Sequence, residues 1–365
     1  MTTDDTELVR ILDEDGAVVE GADVPDLDDE TLLGIYRDMR LTREFDRKAI
    51  SIQRQGRLGT FASAAGHEGA QVGSTYALAD DDWILYQYRE HGAVVVRDLD
   101  SSYLEYWMGH ERGNAALADD NVFPLNITIA DHIPHGVGMA WASKLKGEEK
   151  AFVVHFGDGA TSEGDFHEGL NFAGVFDTPT VFFCNNNQWA ISVPAERQTA
   201  SATFAQKAEA YGFEGVRVDG MDPLAVYAVT RDAVEKAKSP EEDELRPTLI
   251  EAVMYRYGAH TTADDPTVYR DEAEVERWKQ RDPIRRFEAY LEGTGRLDAE
   301  RAAAIEAEIE ERVAAIVEAA EDAERNPAEM FDDAYAELPD ELRTQREAFL
   351  SLLDEYGDEA FLRDH

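Results

Sequence analysis

Two polar residues, each following an apolar run, carry the strongest chemical signal in this 365-residue chain. Asp158 sits in Gly157-Asp158-Gly159-Ala160-Thr161-Ser162-Glu163-Gly164, directly after the run 151–156, and Asn187 ends Cys184-Asn185-Asn186-Asn187, which closes the run 180–184. The first run, Ala-Phe-Val-Val-His-Phe, has the length and the β-branched and aromatic content of a buried parallel strand. Glycines after it let the backbone turn sharply and come close to a ligand. If the two strands are parallel neighbours, their carboxyl ends lie side by side, where open α/β sheets bind ligands. Asp158 and Asn187 then face one hard cation through oxygen. Mg²⁺ takes few protein oxygens and completes its shell with phosphates and water, so the pair reads as a site for Mg²⁺ and a diphosphate.

The spacing separates this site from commoner phosphate motifs. A dinucleotide fingerprint needs a third glycine where Ser162 stands, and a P-loop needs a Gly-Lys-Ser/Thr ending that is missing. Residues 157–192 instead resemble the thiamine diphosphate motif, Gly-Asp-Gly followed by Asn-Asn, of the α subunit of 2-oxo acid dehydrogenase E1 components. The match is closest around Ser162-Glu163-Gly164-Asp165-Phe166-His167-Glu168-Gly169-Leu170-Asn171-Phe172-Ala173. The resemblance implies that Asp158 and Asn187 ligate Mg²⁺ by side chain and Trp189 by its backbone carbonyl, while the backbone at Gly159 and Ala160 meets the diphosphate. A helix starting near Glu163 would aim its N–H groups at the phosphates. Trp189 stands where the family usually has Tyr or Phe, and Asn185 where relatives often carry Glu, Gln or Arg.

Three further segments complete such a site. Tyr86-Gln87-Tyr88-Arg89-Glu90-His91-Gly92 resembles the family's Tyr-Arg-x-His-Gly, which makes Tyr88 and Arg89 cofactor contacts, the arginine on the diphosphate. Tyr255-Arg256-Tyr257-Gly258-Ala259-His260 follows a third apolar strand at 249–254. In the family this segment carries a phosphate arginine and an active-site histidine on a mobile loop, here Arg256 and His260. A guanidinium fork suits a phosphate and stays charged at any working pH. A histidine near neutrality donates to a phosphate or handles protons in acyl transfer. The plainer alternatives are a surface histidine and an arginine paired with the abundant acids. Asn126-Ile127-Thr128-Ile129-Ala130-Asp131-His132-Ile133-Pro134 aligns with the loop whose backbone holds the aminopyrimidine ring, through Ile127 and Ile129; their side chains read equally well as core.

Other residues carry less. His155, inside a strand, reads as a satisfied core group, Phe61 as core packing and Cys184 as a buried strand residue. His67-Glu68 and His167-Glu168 do not extend to His-Glu-x-x-His, so a zinc protease is excluded. His132, beside Asp131, is a lesser candidate for an ion or active-site contact.

The composition bounds the setting. With 43% hydrophobic residues the chain can bury a sizeable core in one large domain or two. The net charge of −42 comes from 77 acids against 35 bases, of which only eight are lysines. Such a surface repels nucleic acid and anionic lipid, so neither is an expected partner. It also repels itself unless salt screens it, and the screening length is about 3 Å at 1 M. A salt-rich cytoplasm such as a halophile's is therefore expected. One cysteine precludes an internal disulfide, no apolar run nears the roughly 18 residues of a membrane span, and the start Met1-Thr2-Thr3-Asp4-Asp5 lacks a secretory signal, so the expected location is cytoplasmic.

Alternating strand and helix patterns from about 60 to 260 predict an α/β fold of three layers, with a mainly parallel sheet covered on both faces and helical extensions at each end. Helices are expected at 28–54, 272–292 and 298–325, the last with an apolar stripe for packing within the chain or against a partner. Residues 1–30 are expected to form an acidic arm and 346–365 an acidic tail around a cofactor domain at 31–345, with 239–244 a solvated linker. The resemblance runs from about 41 to 342 and covers one cofactor domain where this enzyme class needs two. It therefore implies an α₂β₂ heterotetramer with an E1 β subunit that supplies the activating glutamate. The implied reaction is oxidative decarboxylation of a 2-oxo acid, pyruvate or branched-chain, with His260 assisting acyl transfer to the lipoyl group of an E2 acyltransferase. An acetoin dehydrogenase α subunit and a non-catalytic scaffold of the same fold are the alternatives.

Overall fold

The computed structural model describes residues 8–323, 326–332 and 335–361. In chain order the strands are β1 (Trp83–Leu85), β2 (Phe152–Gly157), β3 (Thr180–Asn186), β4 (Trp189–Ala190), β5 (Val193–Pro194), β6 (Glu214–Asp219) and β7 (Thr248–Val253). A parallel five-stranded sheet runs β1-β2-β3-β7-β6, and β4 pairs with β5 as a small antiparallel hairpin. Parallel neighbours need long crossovers, and here these are helices that cover both faces.

The central strands β2, β3 and β7 are mainly apolar because successive side chains enter two different cores. Val153, Val181, Phe183 and Ile250 pack under one face with the helices Asp29–Arg54, Glu68–Tyr76 and Pro223–Lys238. Phe152, Val154, Phe156, Phe182, Cys184 and Leu249 pack under the other with His132–Lys146 and Gly164–Phe176. His155 and Cys184 are buried in these strands, as expected, though His155 is not fully satisfied, since its Nε2 lacks a hydrogen-bond partner; Phe61 is buried and stacked on His91 at 4.6 Å. The register sets Gly157 level with Asn185 and Asn186 level with Val253. Asp158, Asn187 and Tyr255-Arg256 thus leave the sheet together at one edge.

The helix Asp29–Arg54 begins where Asp28 accepts from the Thr31 N–H at 2.8 Å. The single helix expected at 272–292 is two, Glu272–Lys279 and Pro283–Gly293. Pro283 cannot donate to the preceding turn, and Asp282 caps the second helix by accepting from Ile284 and Arg285 N–H at 3.1 and 3.2 Å. Ala299–Glu321, capped by Asp298, buries its stripe of Ile305, Ile309, Val313, Ile316 and Val317 within the chain, against Asp29–Arg54 and Ser101–Trp107.

The expected N-terminal arm is a docked segment from residue 8 onward; residues 1–7 lie outside the described residues. Ile11 and Leu12 are buried, and their N–H groups donate to Asp222 Oδ2 at 2.7 and 2.6 Å. Arg10 reaches Asp219 at 2.9 Å. The acids between and after these residues gave the segment its disordered look, while two apolar side chains tie it down. The tail expected from 346 begins inside the helix Asp340–Tyr356, which buries no residue, and 362–365 lie outside the described residues. Among the described residues no helix is long and apolar enough to cross a membrane.

Candidate active site

A cavity of about 470 Å³ opens at the carboxyl edge of β2 and β3. Tyr88, Arg89, Ile127, Ile129, Asp158, Gly159, Ala160, Asn187, Trp189 and His260 all line it. Arg256 does not line it but stands directly behind, bonded to the hairpin that does.

Asp158 directly follows β2 and is almost fully buried, and its Oδ2 accepts from Gln198 Nε2 at 2.6 Å. Burial pushes its carboxyl up to about 6. Asn187 Oδ1 accepts from the Trp189 N–H at 3.2 Å, which curls the chain into the β4–β5 hairpin. Gln188 and Ile191 in this turn have φ of 72° and 54°, a left-handed conformation that is unusual for β-branched Ile191. A Cβ on Gly159 would stand 2.9 Å from the Ala190 Cβ, so this glycine is demanded by the hairpin's close approach, whereas a Cβ on Gly157 would meet open space.

Arg89 is buried; Nη1 donates to the Ser63 carbonyl at 2.5 Å, and Nη2 donates to the His260 carbonyl at 2.7 Å and lies 3.2 Å from His260 Nδ1. Arg256 is fully buried, with Nη2 donating at 2.8 Å to both the Ile191 carbonyl and the Tyr269 hydroxyl. Burial, reinforced by Arg89, pulls Arg256 down to about 10. His260 is neutral at working pH: burial, with Arg89 and Arg256 adding to it, lowers the ring to about 4. The His260 loop is tied down, because Asp264 Oδ2 accepts from the His260 N–H at 2.7 Å and from the Tyr269 hydroxyl at 2.5 Å.

Residues 36–329 match the family described as Dehydrogenase E1 component. The chain belongs to this family. It is 42% identical over 346 residues to the 3-methyl-2-oxobutanoate dehydrogenase subunit alpha of Mycobacterium tuberculosis, covering 94% of this chain and 93% of that one. It is 41% identical over 344 residues to the pyruvate dehydrogenase E1 component subunit alpha of Bacillus subtilis, covering 93% and 91%, and 41% identical over 350 residues to the Staphylococcus epidermidis protein of the same name, covering 94% and 92%. These relatives carry two different substrate names at nearly equal identity.

The donors in this E1 chain fit the group its family implies. Asp158 offers a carboxylate, Asn187 an amide oxygen and Trp189 a carbonyl, the hard oxygens Mg²⁺ prefers. Among the described residues no three His, Cys, Asp or Glu side chains converge as a metal site, and this donor set draws only Asp158 from those types. The side-chain hydrogen bonds of Arg89 and Arg256 go to neutral oxygens and the neutral ring of His260. Two buried guanidiniums so placed favour an anion.

Ile127 and Ile129 are not core: they are 59% and 36% exposed. The Asn126 side chain bonds both the Thr128 N–H and Asp131, and Ala130 takes a φ of 68°, so the loop turns these two residues onto the cavity wall. His132 is absent from the E1 site; it is buried with Nε2 2.6 Å from the His155 carbonyl. Gln198 is the residue that sequence reasoning missed. It lies 40 positions past Asp158, beyond the hairpin, in a stretch with no strand or helix pattern to mark it.

Proposed function

We propose that this E1 chain is the α subunit of a 2-oxo acid dehydrogenase and that its cavity holds thiamine diphosphate with Mg²⁺. Asp158 and Asn187 hold the ion by side chain and Trp189 by its carbonyl. Arg89 and Arg256 take the diphosphate beside the backbone of Gly159 and Ala160. Tyr88, Ile127 and Ile129 flank the rings. When bound, thiamine diphosphate supplies the nucleophilic carbon that attacks the 2-oxo group and takes up the electrons left as CO₂ departs. His260 then assists passage of the acyl group to a lipoyl group of E2. One observation carries this reading: two buried arginines whose side chains have neutral hydrogen-bond partners, Arg89 on the cavity wall and Arg256 directly behind it, stand beside the buried carboxylate of Asp158.

The single cofactor domain calls for an E1 β subunit in an α₂β₂ assembly, which closes the cavity and brings the activating glutamate. The substrate is a 2-oxo acid, pyruvate or branched-chain, and the setting is a salt-rich cytoplasm. The test is to co-express the chain with its β partner, purify the complex in high salt, and measure ferricyanide-coupled oxidation of pyruvate, 2-oxoisovalerate, 3-methyl-2-oxopentanoate and acetoin. Turnover of a 2-oxo acid that requires thiamine diphosphate and Mg²⁺ is expected. Turnover of acetoin alone would move the assignment to an acetoin dehydrogenase, and a complex that binds no cofactor would overturn it.

A further inference from the structure

His67 is wholly buried, and neither of its ring nitrogens has a hydrogen-bond partner. Buried nitrogens left unpaired are costly, and each such group in a folded protein calls for an explanation. The explanation lies in where His67 sits. The segment around it holds Arg89 directly and packs against the residues on either side of Arg256, the two phosphate arginines of the proposed site. On one side the Ser63 carbonyl accepts from Arg89 Nη1 at 2.5 Å, and Gln71 Nε2 donates to the Arg89 carbonyl at 3.0 Å. On the other side the Ala65 carbonyl accepts from the Tyr257 N–H at 3.2 Å. Gly66 lies so close that a Cβ there would stand 2.3 Å from the Tyr255 carbonyl oxygen.

His67 is thus wedged between the chain segments that carry Arg89 and Arg256. Burial, then these two cations and His91, hold its ring far below the ordinary histidine range, so it is neutral. A second orphan stands in the same region: Arg256 Nε is buried and also lacks a partner. In this structure Arg256 spends Nη2 on the Ile191 carbonyl and the Tyr269 hydroxyl, and Nη1 lies 3.5 Å from both the Trp189 carbonyl and His260 Nδ1, which leaves Nε as the donor without a partner. A diphosphate that captures those N–H groups re-aims the guanidinium, and its remaining donor then needs an acceptor on the protein side. A carboxylate there would cancel the charge that attracts the phosphate. A neutral imidazole accepts the hydrogen bond and leaves the charge intact.

We infer that His67 is a positioning residue for the diphosphate, its neutral ring accepting a guanidinium N–H of the phosphate arginines once the anion has drawn them from their present carbonyl partners. This rests on the proposed reading of the cavity as a thiamine diphosphate site.

The test uses the assembled α/β complex with His67→Leu, which keeps bulk and removes both nitrogens, and His67→Gln, which keeps an acceptor. Binding of thiamine diphosphate and of inorganic pyrophosphate is followed by tryptophan fluorescence, beside steady-state kinetics and the melting temperature of the cofactor-free complex. His67→Leu is expected to raise the half-saturating concentration of both ligands about tenfold. The loss should fall on affinity more than on kcat, with no loss in melting temperature, and His67→Gln should recover most of the affinity. Wild-type affinity in His67→Leu would overturn the inference, as would affinity and melting temperature falling together in both variants. If His67→Leu fails to assemble, a crystal structure of the wild-type complex with pyrophosphate decides: a ring nitrogen within hydrogen-bond distance of an arginine N–H supports the inference, and an unpaired ring overturns it. A wild-type complex that binds neither ligand would instead refute the reading of the cavity itself.

Discussion

Arg89 Nη2 is fastened to His260 twice, through the carbonyl at 2.7 Å and ring Nδ1 at 3.2 Å. A guanidinium only donates, so Nδ1 must be the acceptor and the neutral ring carries its proton on Nε2. Arg89 therefore fixes the tautomer of the histidine proposed for acyl transfer.

The first prediction concerns the charge of that ring. His260 in the cofactor-free protein titrates near 4, against about 6.5 for an unfolded histidine. Between those values the unfolded chain binds a proton that the folded ring refuses, so this group's contribution to stability falls as pH drops from about 6.5 to about 4 and changes no further below. Histidine C2–H exchange read by mass spectrometry should give a midpoint near 4, moving upward when pyrophosphate neutralises Arg89 and Arg256. A midpoint near 6.5 without ligand would contradict the geometry.

Gln198 sets the second. Its Nε2 donates to Asp158 Oδ2 at 2.6 Å and to the Val193 carbonyl at 3.1 Å, linking the proposed metal ligand to the hairpin. Groups that orient a metal ligand change metal affinity by about 10- to 100-fold when removed. Gln198→Leu should raise the Mg²⁺ concentration needed for thiamine diphosphate binding by at least about tenfold on that basis. An unchanged Mg²⁺ requirement would make Gln198 a packing residue only.

These two residues mark the limit of what the sequence discloses. Asp158 and Asn187 were legible because each directly follows a buried strand, so covalent succession places them at the same sheet edge. The contact between Asp158 and Gln198 is made by a hairpin that brings back a residue 40 positions away, and no local pattern encodes that return. The docking of Ile11 and Leu12 was hidden for a similar reason. Their acceptor, Asp222, is more than 200 positions distant, while the local composition is acidic. The break at Pro283 was readable and overlooked, since Asp282-Pro283 is itself a helix-start signal. The exposure of Ile127 and Ile129 depends on Asn126 and Ala130 bending the loop, which apolarity alone does not reveal.

Asp222 holds the N-terminal segment and gives the third prediction. Beyond Ile11 and Leu12 it accepts from the Leu224 and Ala225 N–H groups at 3.1 and 3.2 Å, capping the helix Pro223–Lys238. Asp222→Ala strands buried donors and removes the cap, at a combined cost of about 2–4 kcal/mol. Hydrogen exchange should accelerate first at residues 9–12, and the midpoint of urea unfolding should fall. Exchange there at the wild-type rate would show that the segment is held by other contacts.

The fourth follows from the charge of −42. Raising ionic strength from 0.1 to 1 M shortens the screening length from about 10 to about 3 Å and suppresses the self-repulsion of the compact state. The melting temperature should rise steeply with KCl over this range and beyond. A flat or falling response would contradict adaptation to a salt-rich cytoplasm.

The carboxyl edge of β2 and β3 is proposed to hold thiamine diphosphate through Mg²⁺ on Asp158 and Asn187. Isothermal titration of the assembled α/β complex with thiamine diphosphate, with and without Mg²⁺, in the wild type and in Asp158→Asn, tests it most directly. Mg²⁺-dependent binding is expected in the wild type, with its loss in Asp158→Asn but no loss of assembly. Binding of equal strength in both, or binding indifferent to Mg²⁺, would contradict it.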